Sequence, residues 1–118
     1  MANRQLIFRV ENGERKGPYT FGNFDILNHH NFDMERWPTA WSDRILKDVS
    51  ISEIRERRYG FKSMRKLLNW FSRAELRVLF DAGWAISIYA VTVVAHGDKQ
   101  SIFSAEGATL LFRFSKSV

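Results

Sequence analysis

Ser63-Met64-Arg65-Lys66-Leu67-Leu68-Asn69-Trp70-Phe71-Ser72-Arg73-Ala74-Glu75-Leu76-Arg77-Val78-Leu79-Phe80-Asp81-Ala82-Gly83 carries the strongest local signals in the chain. Ser63 is suited to cap a helix over Met64 to Phe71, in which Met64, Leu67, Leu68 and Phe71 recur at helical spacing. Ser72-x-x-Glu75 is a capping box, in which the serine oxygen accepts from one orphan amide and the glutamate returns to another. It predicts a second helix with Leu76, Leu79 and Phe80 on one face. Gly83 ends that helix as a residue able to take the left-handed conformation. Trp84 to Ala95 then reads as a long strand, with Ile86, Ile88 and Ala90 on one face and Ser87, Tyr89, Val91 and Val93 on the other.

Working outward, His96-Gly97-Asp98 supplies a hairpin turn and Lys99 to Phe103 a returning strand. After Ala105-Glu106-Gly107 a last strand, Thr109 to Phe114, places Leu110, Phe112 and Phe114 toward the core. Upstream, Ser50-x-x-Glu53 is another capping box, predicting a helix that ends by Gly60. At the start of the chain Gln5 to Glu11 alternates, with Leu6, Phe8 and Val10 on one face and Ile7, Arg9 and Glu11 on the other. Asn12-Gly13 and Gly17-Pro18 are turn signals, so Glu14 to Lys16 are expected in an exposed connection. Tyr19 to Phe24 fits a short strand or a loop, Asp25 to Asn31 a short helix, and Asn31 to Asp48 an irregular loop pinned by Trp37 and Trp41. The order is β, irregular, ααα, βββ. It predicts an α+β fold in which an antiparallel sheet of about four strands carries about three helices on one face.

The 118 residues fit one domain, 1–118. A hydrophobic fraction of 45% and a charged fraction of 26% are those of a globular chain, and 14% aromatic residues supply a core. Cysteine is absent, which excludes disulfides and thiolate metal sites and fits a reducing cytoplasm. The longest apolar stretch, Trp84 to Ala95, is too short to span a membrane, and the N-terminus lacks the apolar run of a signal peptide. A soluble protein is expected.

The net charge of +5 is unevenly placed. Between Glu53 and Arg77 stand eight basic residues, Arg55, Arg57, Arg58, Lys62, Arg65, Lys66, Arg73 and Arg77, against the three acids Glu53, Glu56 and Glu75. That window accounts for the whole excess; the other 93 residues are balanced. Concentrated positive charge on helices is either a solvated face or a binding surface for phosphate or an acidic protein. Reversal of Arg57, Arg58, Lys62 and Arg65 to Glu is expected to abolish binding and leave the fold intact. Tyr59, Phe61, Trp70 and Phe71 lie among these cations, a combination that single-strand binders use, although core burial explains the rings equally well.

Other chemistry finds little footing. His29-His30 near Asp25 and Asp33 suggests metal ligands, but adjacent side chains point apart, and a surface cluster is the better reading. No G-x-S-x-G elbow, P-loop or G-x-G-x-x-G is present. No metal, cofactor or catalytic residue is therefore expected. Arg9 lies on the solvent-or-cleft face of the first strand. With Ser87 and Glu106 it resembles the sparse arginine–serine–glutamate signature of ADP-ribosyltransferases, although the Ser-Thr-Ser and Glu-x-Glu patterns are missing. That resemblance implies a dinucleotide held by Arg9 and Ser87, with Glu106 acting on the ribose.

Phe8-Arg9-Val10-Glu11, Gly17-Pro18-Tyr19, Gly60-Phe61-Lys62-Ser63, Trp70-Phe71 and Lys99-Gln100-Ser101-Ile102-Phe103 together resemble a group of short phage and prophage proteins. The resemblance implies a protein without enzymatic activity that binds a host protein or ribonucleoprotein complex, including CRISPR-Cas effectors and other defence complexes, and inhibits it by occlusion. An anti-CRISPR role belongs to that implication, not to composition or spacing. A minimal ADP-ribosyltransferase and a direct nucleic-acid binder are the alternatives.

Overall fold

Both serine caps form as the sequence dictates. In this computed structural model the Ser63 hydroxyl accepts from the Lys66 amide at 3.2 Å, opening helix α1 (Met64–Trp70). At helix α2 (Arg73–Asp81) the Ser72 hydroxyl accepts from the Glu75 amide at 3.1 Å, and the Glu75 carboxylate accepts from the Ser72 amide at 2.7 Å. Gly83 follows at φ +95°, with its amide on the Phe80 carbonyl. That backbone region suits glycine, and the turn hands the chain directly to a strand. The structure describes residues 4–13, 15, 57–92, 94–97 and 99–115. The expected segments Tyr19 to Phe24, Asp25 to Asn31 and Asn31 to Asp48, the Gly17-Pro18 turn and the Ser50–Glu53 capping box lie outside them.

The six described strands are β1 (Gln5–Glu11), β2 (Arg57–Gly60), β3 (Ala85–Val91), β4 (Val94–His96), β5 (Ser101–Ser104) and β6 (Thr109–Phe114). They form two antiparallel three-stranded sheets, β1-β3-β6 and β2-β5-β4. The α+β class holds, with two corrections to the expected single sheet and three helices. Arg57 to Gly60 is a strand paired with β5, not the end of a helix. The long Trp84–Ala95 strand divides into β3 and β4, which belong to different sheets. The alternation of its side chains was legible, but a change of sheet leaves apolar patterning intact and so carries no sequence signal.

The first sheet lies between two cores. One of its faces contributes Val10 and Ile86 to a cluster with Phe61, Leu67, Trp70, Phe71, Leu76, Leu79 and Trp84. Of the predicted apolar stripes, Leu67, Phe71, Leu76 and Leu79 are buried, and Met64, Leu68 and Phe80 pack against them partly exposed. Phe61 anchors this cluster, its ring 5.5 Å from Trp70 and edge-on to Phe71 at 6.0 Å. The opposite face contributes Ile7, Tyr89 and Val91, which close on Phe103 of the second sheet. Helices on one side and a second sheet on the other leave no solvent face for Arg9, Glu11 and Ser87, which are buried.

The two sheets meet where Phe8 and Phe61 exchange both backbone hydrogen bonds at 2.8 Å. Gly60 stands next to this bridge. A methyl group there would lie 2.5 Å from Ile7 Cγ2 and 3.0 Å from the Phe8 carbonyl oxygen. The backbone itself is one of the two obstacles, so a rotamer change alone cannot relieve the clash. Gly60→Ala is expected to cost about 1–3 kcal/mol, the usual range for overpacking, measured as a lowered urea midpoint.

Candidate functional site

Seven of the eight cations of the basic window are described, and they occupy four structural settings. Arg55 lies outside the described residues. Arg57 and Arg58 are on β2, Lys62 is in the connection to α1, Arg65 and Lys66 are on α1, and Arg73 and Arg77 are on α2. The described cations therefore stand on a strand, a connection and two helices, a correction to the expected all-helical segment. Arg57, Lys62, Arg65, Arg73 and Arg77 are exposed, whereas Arg58 and Lys66 are half-buried. Arg73 and Arg77 stand one turn apart and share a face of α2.

Alternation explains Arg58. It pairs with Phe103, whose ring enters the inter-sheet core, so Arg58 is on the inward side of β2 and Arg57 on the outward side. Arg58 is near enough to Arg9 to disfavour its charge. Reversal of Arg58 would disturb the interior, so the four-residue reversal expected from sequence is better built with Arg73 in its place.

The positions of three of these cations run against helix stability. Arg65 and Lys66 fall in the first turn of α1 and Arg73 opens α2, while neither helix has a basic residue in its last turn. The helix macrodipole disfavours positive charge at an N-terminus, by about 0.3–1 kcal/mol each at the surface. Helix propensity does not account for this arrangement.

A second polar constellation lies between the sheets. The Arg9 Nε donates to Glu11 Oε2 at 2.9 Å, and its terminal nitrogens donate to the carbonyls of Tyr59 at 2.7 Å and Arg15 at 3.3 Å. Arg15 offers that carbonyl from a turn in which its own φ is +64°. Glu11 Oε1 accepts from the Tyr89 hydroxyl at 2.5 Å and from Arg113 at 3.5 Å, and Arg113 also donates to Ser87 Oγ at 3.3 Å. Among the described residues no buried side-chain polar atom lacks a partner. Burial lowers the Arg9 pKa from the ordinary arginine value, and Glu11 opposes the shift.

Burial, followed by the hydrogen bond to Glu11, raises the Tyr89 hydroxyl to about 12. A phenol whose folded-state pKa exceeds its ordinary value of about 10 stabilises the fold below that pH. The contribution is lost as pH rises through about 12. An ultraviolet titration of phenolate absorbance is expected to show one tyrosine ionising near there. Glu11→Gln should bring that midpoint down, and the part due to burial should persist.

The structure brings Arg9 and Ser87 together, directly paired across β1 and β3. It does not bring Glu106 to them. Glu106 is exposed in the turn between β5 and β6, and the carboxylate beside Arg9 is Glu11. Arg9 itself is buried rather than on a solvent or cleft face, and its guanidinium holds Glu11 and two carbonyls. His29, His30, Asp25 and Asp33 lie outside the described residues, among which no group of three or more His, Asp or Glu could hold a metal. His96 bridges Gln5 Oε1 and Ser101 Oγ at 2.6 and 2.7 Å, and burial and then Lys62 hold its pKa below the usual value. No helix among the described residues is long and apolar enough to cross a membrane.

Comparison with known proteins adds one finding of wide coverage. The profile of the family described as Bacteriophage T4 Y00F protein matches residues 1–117. The chain belongs to this phage family. No curated protein and no solved structure matches it.

In this phage protein the sequence located the cations but not the closed network around Glu11. One signal was present: Arg9 and Glu11 share a strand face with Ile7, and Ser87 and Tyr89 share one with Val91. Mixed polar and apolar residues on matching faces of two strands fit a partly polar interior as well as a solvent face. Only the second sheet decides between them.

Proposed function

We propose that this phage protein is a binding protein without enzymatic activity, which occludes a host protein or ribonucleoprotein complex through the cationic surface of Arg57, Lys62, Arg65, Arg73 and Arg77. The observation that carries the reading is the exposure of all five cations, with Arg65, Arg73 and Arg77 on the two helices that form the main core. Leu67, Leu76 and Leu79 fix those helices and so hold these three charges in place, and placing a cation at the start of each helix costs stability. Such a surface favours an acidic partner and speeds encounter with it. A defence complex is the class of target that the phage resemblance implies.

An acidic protein surface fits better than a nucleic acid. The aromatic residues among the cations are largely committed to the core: Phe61, Trp70 and Phe71 are buried, and Tyr59 alone of the four is exposed. A single-strand binder needs exposed rings on which bases stack. The experiment is capture from host lysate on immobilised protein, together with a mobility-shift titration against short single- and double-stranded DNA and RNA. The expected result is a recovered protein complex and no shift at physiological salt. Sub-micromolar nucleic-acid binding whose log K falls with log salt at about −0.7 to −0.9 per phosphate contact would overturn the assignment of the partner.

A further inference from the structure

We propose that the outer edge of β6 is a docking site for an extended segment of another protein, apolar at alternate positions and acidic near its ends, which adds to the β1-β3-β6 sheet as a further strand. Pairing on β3 uses one side of β6, and among the described residues no strand lies on the other. An unpaired strand edge presents a row of amides and carbonyls ready for strand addition. Thr109 to Arg113 are all exposed, and the side chains on offer are Leu110, Leu111 and Phe112, exposed by 37, 45 and 69%. Sequence alternation predicted Leu110 and Phe112 in the core. The structure corrects this, and of that set only Phe114 packs against it.

The composition of β6 is unusual for a free edge. Natural sheets guard such strands with proline, outward lysine, bulges or inward-pointing charges. Thr109-Leu110-Leu111-Phe112-Arg113-Phe114 holds neither proline nor lysine; its guards are the irregular register and Arg113, which turns back to Glu11 and Ser87, and they leave Leu110, Leu111 and Phe112 uncovered. The register with β3 passes from Ile88–Phe112 to Tyr89–Leu110, so Leu111 is an extra residue bulged within β6 and turns the flanking side chains to opposite faces. On the face that carries Phe112, Leu6 of β1 is also 48% exposed and extends the apolar surface across the sheet.

Charge selects the occupant. Arg9 and Arg113 share the single carboxylate of Glu11, which leaves one positive charge in excess beside the end of β6. At the start of the strand Arg4 donates to the neutral Thr109 hydroxyl at 3.0 Å. The apolar run is thus bracketed by cations. A second copy of the chain, itself carrying +5, would set Arg113 of one protomer against the Arg4–Thr109 end of the other in an antiparallel pairing centred on Leu111. Acidic residues at the ends of a foreign strand meet both cations favourably.

The test is panning of a displayed random-peptide library on the full-length protein, with the selected peptides then measured on wild type and on Phe112→Lys. Because Phe112 is mostly exposed, the variant keeps its urea midpoint. The expected result is enrichment of alternating apolar sequences bearing Asp or Glu, at least tenfold weaker binding to the variant, and slowed amide exchange at Thr109 to Arg113 in the complex. Failure to enrich, enrichment of sequences without acids, or binding indifferent to Phe112→Lys would overturn the proposal. So would a dimer in sedimentation equilibrium that protects the same amides. The site is separate from the cationic surface, so either reading can fail while the other stands.

Discussion

Glu11→Ala is expected to cost about 3–5 kcal/mol in urea unfolding. Glu11 is 1% exposed and accepts from Arg9, Tyr89 and Arg113. Its removal strands the buried Arg9 guanidinium, which cannot shed its proton, and leaves the Tyr89 hydroxyl unpaired. The penalty therefore comes from what is left behind more than from the lost contacts. A double variant separates the two: Arg9→Met with Glu11→Leu removes both charges and keeps apolar volume. It should recover much of the loss. A double variant as unstable as Glu11→Ala would show that the ion pair is not the source.

Leu79→Ala is the second large effect, roughly 2–5 kcal/mol by the same measurement. Leu79 is 1% exposed in the cluster that joins both helices to the first sheet. That cluster draws Leu67 from α1, Val10 from β1 and Ile86 from β3, so the cavity cannot collapse by moving a single element. A loss below about 0.5 kcal/mol would contradict that burial.

These two residues mark the boundary of what the sequence made legible. Leu79 was readable because capping boxes, helical periodicity and a terminal glycine agree over Ser63 to Gly83, and each is a local signal. The hairpin at His96–Gln100 was readable for the same reason, and the Gly97 amide does bond the Gln100 carbonyl at 2.8 Å. Glu11 was not readable as buried. Its environment depends on a second sheet assembled from β2, β4 and β5, whose strands of three or four residues are too short to show alternation. Gly60 shows the same limit. As a helix terminator it is plausible, and only the close approach of Ile7 and Phe8 reveals the packing that requires it. For the candidate site, composition located the cations, while exposure decided which of them are presented. Arg58 sits next to Arg57 in sequence and faces the other way.

The most direct test of the cationic surface is a calorimetric titration of the captured host partner with wild type and with a variant carrying Arg57→Glu, Lys62→Glu, Arg65→Glu and Arg73→Glu. All four positions are exposed, so the urea midpoint of the variant should match that of wild type. The expected loss of affinity is about a hundredfold or more, because like charges set against an acidic surface cost several kcal/mol. Wild-type affinity in the folded variant would contradict it.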